Sequence, residues 1–170
     1  MSGSRWKHGI FMLAEMSLRL AFVPGLRAAV LRLLGARVGR NVRVYECRFV
    51  NLWAGFSNLV VGDDVHIGPA CLIDLSGPVR IGNGSTISPR VSIISHNDPG
   101  SAHGSRRLAS YPCDTNGVSI GAHCWVGTAA TLLSGSVVED DVVVGAMSLV
   151  RGRLNAGVVY GGVPARPLHP

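Results

Sequence analysis

The sequence predicts an all-β solenoid of short parallel strands, preceded by a helical segment. Three observations lead to this prediction: aliphatic residues recur in steps of six, glycine is abundant, and residues 1–36 differ in composition from the rest. The step is clearest at Ile120, Val126, Leu132, Val138, Val144 and Val150. A period of six cannot keep one face of an α-helix buried, because such positions rotate around a 3.6-residue spiral. It is typical of coils whose sides are short strands, each pointing one aliphatic side chain inward.

Residues 1–36 are predicted to form a helical cap. The segment from Ile10 to Leu34 is rich in Leu, Ala and Phe, and Pro24 and Gly25 divide it into two short helices. Its charges and the proline argue against a membrane span, and it lacks the cleavage pattern of a secretory signal. We expect the cap to cover the open end of the solenoid. Attachment to a membrane surface through apolar side chains and arginines is the alternative.

The solenoid itself is predicted over residues 37–168. Its further inward positions are Val38, Val44, Val50, Val61, Ile67, Ile73, Ile81, Ile87 and Ile93. The 22 glycines suit a chain that turns a corner every few residues, since glycine adopts positive φ without steric cost. At 170 residues the chain reads as one domain with a continuous core.

Charge and cysteine content narrow the function only in part. Sixteen basic residues against ten acidic ones give a net charge of +6, which suits anionic lipid, nucleic acid or a phosphorylated cofactor. The absence of a nucleic-acid-binding motif makes nucleic acid a poor candidate. The four cysteines show no paired metal-ligand spacing, and Cys71 and Cys124 occupy small-residue positions where a buried thiol packs as an apolar group. We therefore expect no metal and a cytoplasmic protein.

The repeat is interrupted at two places, where we expect function. The step from Ile73 to Ile81 is eight residues, and the repeat stops between Ile93 and Ile120. Residues 97–117 are rich in Gly and Pro and are predicted to form an excursion loop. Long loops on a rigid scaffold often carry function. At the loop root stands Ser95-His96-Asn97-Asp98, the densest polar cluster in the chain.

These features together resemble the hexapeptide-repeat acyltransferases, which have a left-handed parallel β-helix. The resemblance covers about Val38 to Pro167, and its most diagnostic parts are His96, the stretch 120–128 and the ending Gly-Val-Pro-Ala-Arg. The most similar branch contains galactoside and maltose O-acetyltransferases and polysaccharide-modifying enzymes. The resemblance implies acetyl-CoA as acyl donor and a homotrimer with active sites between subunits.

His96 is the candidate catalytic residue. An attacking alcohol must lose its proton, and imidazole titrates near neutral pH. The resemblance implies that His96 removes this proton and later gives it to the CoA thiolate. Asp98 could orient the ring or hold the acceptor, and Asn97 is a further candidate for substrate binding. Direct transfer in a ternary complex is expected, because no Cys or Ser stands next to a base as a nucleophile. An ordinary surface histidine is the alternative.

Two more residues are candidates for substrate binding. Asp74 lies at the shorter interruption, near a family position that contacts the acceptor sugar, where a carboxylate could accept bonds from two hydroxyls. The alternative is an aspartate that stabilises a turn. The resemblance implies that Trp125 borders the reacting centre. The side chain could also cover apolar surface beside the loop, and both can be true.

The remaining candidates concern the donor. The resemblance implies that Thr128 lies beside the thioester, where an N–H or hydroxyl can stabilise the oxyanion. The small Ala146 would let the pantetheine arm lie close to the backbone. Arg151, Arg153 and Arg166 would then meet the CoA phosphates. Many relatives carry Thr-Lys where this chain has Arg151-Gly152, so the positive charge is displaced.

The predicted function is an acetyl-CoA-dependent O-acetyltransferase that acts on a hydroxyl of a sugar or glycan precursor. An N-acetyltransferase that acts on an amino sugar or amino acid is a close alternative. A zinc carbonic anhydrase of the same fold is disfavoured, since no histidine pair has the required spacing. A non-catalytic β-helix scaffold is disfavoured because His96, Trp125 and Arg166 all occupy their expected positions.

Overall fold

The computed structural model describes residues 2–18, 20–99, 110–111 and 113–168. The helices are α1 Ser2–Leu18 and α2 Pro24–Leu33. The strands are β1 Arg37–Val38, β2 Arg43–Val44, β3 Arg48–Val50, β4 Leu59–Val61, β5 His66–Ile67, β6 Leu72–Asp74, β7 Val79–Ile81, β8 Thr86–Ile87, β9 Ser92–Ile93, β10 Val118–Ile120, β11 Trp125–Val126, β12 Thr131–Leu132, β13 Ser136–Val138, β14 Val143–Val144, β15 Leu149–Val150, β16 Arg153–Leu154, β17 Val159–Gly161 and β18 Arg166–Pro167.

The strands wind into a solenoid with three parallel sheets. The first sheet has the order β1-β4-β7-β10-β13-β16, the second β2-β5-β8-β11-β14-β17, and the third β3-β6-β9-β12-β15. Each coil contributes consecutive strands to successive sheets, and β18 closes the second sheet by pairing antiparallel to β17. The predicted all-β solenoid is confirmed.

The core follows the six-residue repeat. The six aliphatics from Ile120 to Val150 that share the step are all at most 2% exposed. The prediction is wrong by one residue in the first coil: Phe49 pairs with the inward Ile73 and is buried, whereas Val50 pairs with Asp74 and is half-buried. Alternate residues of a strand point to opposite faces, so an offset of one residue reverses the inward side. The step from the inward Val44 to the inward Phe49 is five residues, whereas the repeat has a step of six.

The corner between the first and second sheets has the same backbone geometry in every coil. A residue with positive φ stands there each time: Asn41, Asp64, Gly84, His123, Asp141 and Gly157. Glycine, asparagine and aspartate tolerate this conformation best. His123 is therefore a corner residue of the scaffold, and its backbone nitrogen donates to the carbonyl of Asn83 in the preceding coil.

The helices pack against the first coil. Pro24 begins α2, as expected for a proline at the start of a helix, and α2 packs on β1 and β2 with Ala28 and Leu31 buried. Phe11 of α1 meets the ring of Phe56, with the centroids 6.2 Å apart. Of the helices within the described residues, none is long and apolar enough to cross a membrane.

Candidate active site

The imidazole of His96 lies against a buried carboxylate. His96 follows β9, and Asp74 ends β6, the strand directly beside β9 in the third sheet. Nδ1 of His96 is 2.6 Å from Oδ2 of Asp74, and the two side chains are 27% and 2% exposed. The pairing of parallel strands from adjacent coils therefore brings together two residues that are 22 positions apart in the chain.

Both carboxylate oxygens of Asp74 accept hydrogen bonds from the protein. Oδ2 also accepts bonds from the backbone nitrogen and the hydroxyl of Ser95, each 2.8 Å away. Oδ1 accepts from Nδ2 of Asn51 at 2.9 Å and from the nitrogen of Ser76 at 3.1 Å. Asp74 thus contacts the imidazole and its turn instead of an open sugar site. It is also Asp74, and not Asp98, that faces Nδ1 of His96.

Asp74 remains ionised at neutral pH. Burial by itself raises the pKa of this carboxyl, but hydrogen bonds from His96, Asn51, Ser76 and Ser95 outweigh burial and lower the pKa to about 2. An ionised carboxylate only accepts hydrogen bonds, so Nδ1 of a neutral His96 carries the proton. Nε2 is then the nitrogen with a free lone pair, able to take a proton from a substrate.

The low pKa of Asp74 predicts that stability decreases at acid pH. The pKa falls from 3.8 to about 2 on folding, so the unfolded chain takes up the proton first as the pH decreases. A shift of this size contributes about 2 kcal/mol, present above about pH 5 and lost progressively below it. Chemical unfolding of the wild type and Asp74→Asn across this range should show the difference in free energy of unfolding decreasing. A constant difference would contradict the prediction.

His96 borders two clefts on the described surface. One has a volume of about 430 Å³, and its lining includes Asn51, Trp53 and Cys113. The other, of about 520 Å³, includes Pro99 and Tyr111 in its lining. Asn97 and Asp98, which the sequence analysis offers as candidates for substrate binding, line both clefts.

Trp53 is a site residue that the sequence analysis missed. Its side chain is 57% exposed, in a segment between β3 and β4 that belongs to neither strand. The step from Val50 to Val61 is eleven residues, so this segment is a third interruption of the repeat. That interruption was the available signal, since residues outside the repeat lie at corners and line clefts.

The root of the excursion loop is closed by Asn97 and Asp114. Their backbones pair in both directions, with N–O distances of 2.9 and 3.0 Å, and Nδ2 of Asn97 donates to Oδ2 of Asp114 at 2.7 Å. The hydroxyl of Ser134 in the next coil donates to the same carboxylate. The amide nitrogen of Asn97 therefore fixes the loop root. Residues 100–109 and 112 of the predicted excursion loop lie outside the described residues.

The residues predicted to meet the thioester lie at a different corner from His96. Thr128 and Ala146 follow β11 and β14, at successive corners between the second and third sheets. A Cβ on Gly127 would stand 2.6 Å from the nitrogen of Ala146, so the coils are in close contact there. Trp125, on the outside of the second sheet, is 55% exposed and donates from Nε1 to Oγ of Ser88 at 2.9 Å. His96 instead follows the third sheet.

The three arginines predicted to bind the CoA phosphates are not gathered on one face. Arg153 lies in β16 of the first sheet, and its guanidinium forms a salt bridge of 2.6 Å with Glu139. Arg151 is exposed just after β15 of the third sheet. Arg166 lies in β18 at the edge of the second sheet, where Nη1 donates to the carbonyl of Ala165 at 3.0 Å. One chain does not bring these three side chains to a common phosphate site.

The cysteines are thiols, and two of them pack as the sequence predicts. Cys71 and Cys124 are buried, and burial raises the pKa of the Cys71 thiol to about 11, so it stays protonated at neutral pH. Cys113 is exposed and lines the cleft of about 430 Å³ together with His96. Within the described ranges, no group of three or more His, Cys, Asp and Glu side chains could hold a metal ion.

Comparison with known proteins places the chain in a family, although no family model matches it. It is 31% identical over 141 residues to WcaF of Escherichia coli K12, a protein named for acetyl transfer in colanic acid biosynthesis, and covers 71% of it and 82% of this chain. The chain belongs to the hexapeptide-repeat acyltransferases. A dTDP-4-amino-4,6-dideoxy-D-glucose acyltransferase of Escherichia coli is 30% identical over 139 residues, which cover 77% of this chain and 69% of that protein.

A third relative has a similar sequence, and two solved structures have a similar fold. WbbJ of Escherichia coli K12, named for O-acetyl transfer in lipopolysaccharide biosynthesis, is 34% identical over 115 residues, which cover 64% of this chain but only 56% of WbbJ. The acetyltransferase VCA0836 of Vibrio cholerae has a TM-score of 0.83 at 19% identity, over 99% of this acyltransferase and 93% of that chain. A galactoside acetyltransferase in complex with coenzyme A also has a TM-score of 0.83, at 22% identity. The match covers 99% of this chain and 82% of that chain. These structures share the fold.

Proposed function

We propose that this acyltransferase moves the acetyl group of acetyl-CoA to a hydroxyl of a sugar or glycan precursor in the cytoplasm. The observation that carries the proposal is the 2.6 Å contact between Nδ1 of His96 and the buried Asp74 carboxylate, beside an open cleft. WcaF and WbbJ, both named for acetyl transfer in polysaccharide biosynthesis, support the substrate class. A solved structure of VCA0836 that holds acetyl-CoA supports the donor.

In this mechanism, His96 acts first as a base and then as an acid. Nε2 takes the proton of the acceptor hydroxyl while the hydroxyl oxygen attacks the carbonyl carbon of the thioester. The imidazolium that forms is stabilised by the ionised Asp74, which holds Nδ1–H throughout. When the carbon–sulfur bond breaks, Nε2 returns the proton to the departing thiolate. The products are an acetyl ester and CoA, without an acyl-enzyme.

The cleft of about 430 Å³ suits the acceptor. Its lining combines the exposed indole of Trp53 with polar groups from Asn51, Asn97 and Asp98. A sugar ring has apolar C–H faces and a polar edge, so an aromatic face combined with hydrogen-bonding side chains complements it. Because Trp53 lies in the same cleft as His96, an acceptor stacked on the indole would present a hydroxyl to the imidazole.

The donor, in this proposal, is held by a neighbouring subunit of a homotrimer. Trp125, Thr128 and Ala146 lie along the second sheet and its corner with the third, whereas His96 lies beyond the third sheet. A cyclic arrangement can bring one corner of a coil against a different corner of the next copy. The thioester would then meet Trp125 and Thr128 of one protomer and His96 of another.

This arrangement predicts complementation between two inactive variants. His96→Ala and Trp125→Ala proteins should each have low activity, while their co-expressed mixture should regain activity. A mixed trimer has an interface that receives the intact His96 from one subunit and the intact Trp125 from the other. The measurement is acetyl-CoA turnover by co-purified subunits that carry different affinity tags. If the mixture is no more active than the separate variants, both residues belong to a site within one subunit.

An amine acceptor is the second candidate. It is favoured by the likeness to the dTDP-4-amino-4,6-dideoxy-D-glucose acyltransferase, whose name gives an amino sugar as substrate. An amine must also lose a proton as it attacks, so the same imidazole could serve it. The two candidates differ in the bond that is formed, an ester or an amide.

The proposal is tested by acetyl-CoA turnover with matched sugars and amino sugars, free and nucleotide-linked. Mass spectrometry should show the gain of an acetyl group on a sugar without an amine, and hydroxylamine should remove it, since hydroxylamine cleaves esters but not amides under mild conditions. Acetylation that is restricted to amino sugars and resistant to hydroxylamine would replace the proposal with the second candidate. Release of CoA with neither class would contradict both.

A further inference from the structure

The outward face of α1 is apolar. Trp6, Ile10, Leu13 and Met16 form an outward stripe at helical spacing, and all four are exposed, Trp6 by 72% and Leu13 by 68%. Positions i, i+4, i+7 and i+10 lie on one side of an α-helix. A helix on the surface of a soluble monomer normally shows the reverse pattern. The stripe therefore indicates a surface that is covered by a partner.

The inward face of the same helix is already occupied. Phe11 packs against Phe56, Leu18 is buried in the core, and the buried Glu15 accepts a hydrogen bond from the nitrogen of Phe49 at 3.2 Å. The stripe consequently cannot turn inward without losing these contacts. Further exposed apolar side chains continue the surface beyond α1: Leu20, Phe22, Val23, Leu26 and Leu33.

The charge of this end is strongly positive. Residues 1–48 hold nine of the 16 Lys and Arg residues and two of the ten acidic residues, a net charge of +7, so residues 49–170 carry −1. Of these two acids, Glu15 is buried and Glu46 is exposed. Arg37, Arg43 and Arg48 form an exposed basic ring, one on each face of the first coil, next to the coil surface on which α2 packs. The apolar surface and the positive excess of the protein thus coincide.

We propose that the α1–α2 end docks on an anionic membrane surface. Helices that lie in the headgroup region combine an apolar face with Lys and Arg, and acidic lipids attract the basic side chains. A two-fold contact between copies of this chain fits less well, because it would set one basic ring against another. No described helix can cross the bilayer, so the contact is peripheral.

Docking in this way would bring the acceptor cleft close to the lipid. Phe11 of α1 packs against Gly55, because a Cβ added to Gly55 would stand 2.5 Å from the ring of Phe11. Trp53, two residues before Gly55, lines the cleft with His96. An acceptor sugar carried on a membrane lipid would then be within reach. This consequence rests on the proposed function, whereas docking itself does not.

The test is flotation of the 170-residue chain with vesicles of phosphatidylcholine, alone or mixed with phosphatidylglycerol. The wild type should float only with the mixed vesicles and should be released by high salt, since screening weakens attraction to the charged surface. The doubly substituted Leu13→Gln/Met16→Gln protein should bind at least about tenfold more weakly, because each buried apolar side chain contributes. Replacing Arg37, Arg43 and Arg48 by Gln should weaken binding by about fivefold per arginine.

The matched control is Val159→Gln, an exposed apolar residue in the last coil, which should float as the wild type does. Sedimentation gives the mass of each variant without vesicles, and it should be unchanged. The proposal is overturned if the wild type does not float, if it binds neutral and anionic vesicles equally, or if the Leu13 and Met16 substitutions change the oligomer instead of vesicle binding. Because no substrate is present, these outcomes are independent of the catalytic proposal.

Discussion

Replacing His96 with alanine is expected to lower kcat for acetyl transfer by about 10²–10⁴-fold, the usual effect of losing a positioned general base. The acceptor hydroxyl would then have no nitrogen to receive its proton, and the thiolate no acid to protonate it. The side chain is partly exposed and lies at a loop root, so its removal should leave the coils intact. Turnover of acetyl-CoA measures the loss of activity, whereas binding of CoA and thermal unfolding should be unchanged.

A second histidine in the scaffold offers the matched control. His123 is exposed at a corner with φ of 56°, and asparagine tolerates that backbone conformation well. The His123→Asn protein should keep wild-type turnover and stability. Retained activity in His96→Ala would remove the imidazole from the mechanism, and an equal loss in both variants would point to a general effect on the fold.

The periodicity of the sequence predicts the solenoid because each coil repeats the same inward position. It fails where the segment lengths change. The five-residue step to Phe49 moves the inward side by one position, and no aliphatic count can detect this when Phe49 and Val50 are both apolar. The exposed stripe on α1 is likewise hidden, because its composition suits either a buried or a membrane-facing helix.

The site was predictable in position but not in its contacts. The loss of the repeat after Ile93 points to His96. The partner of His96 depends on which strand lies beside β9, and that register places Asp74 at Nδ1 although Asp98 is nearer in sequence. The contacts of the arginines could not be predicted either. Arg153 forms a salt bridge with Glu139, which the spacing of the basic residues does not reveal.

Asp74→Asn is expected to lower kcat by about 10²-fold or more while the KM for the acceptor changes little. The amide keeps the size of the carboxylate but has one acceptor oxygen and an NH₂ group that only donates. An NH₂ group turned towards Nδ1 would place the proton of the neutral imidazole on Nε2, the nitrogen that must be free. In serine proteases the corresponding substitution acts through the same change of tautomer.

The same substitution tests whether Asp74 orients His96 or only stabilises its turn. Ser95 and Asn51 donate to different oxygens of the Asp74 carboxylate. Either orientation of the substituted amide therefore leaves a buried donor facing NH₂, which costs about 1–3 kcal/mol of stability. Asp63→Asn is the control, since this carboxylate also accepts a backbone N–H, from Arg40 at 2.7 Å, but at an exposed corner of the second coil. If Asp74→Asn loses stability yet keeps its kcat, Asp74 serves only its turn, and the base must be oriented by another group.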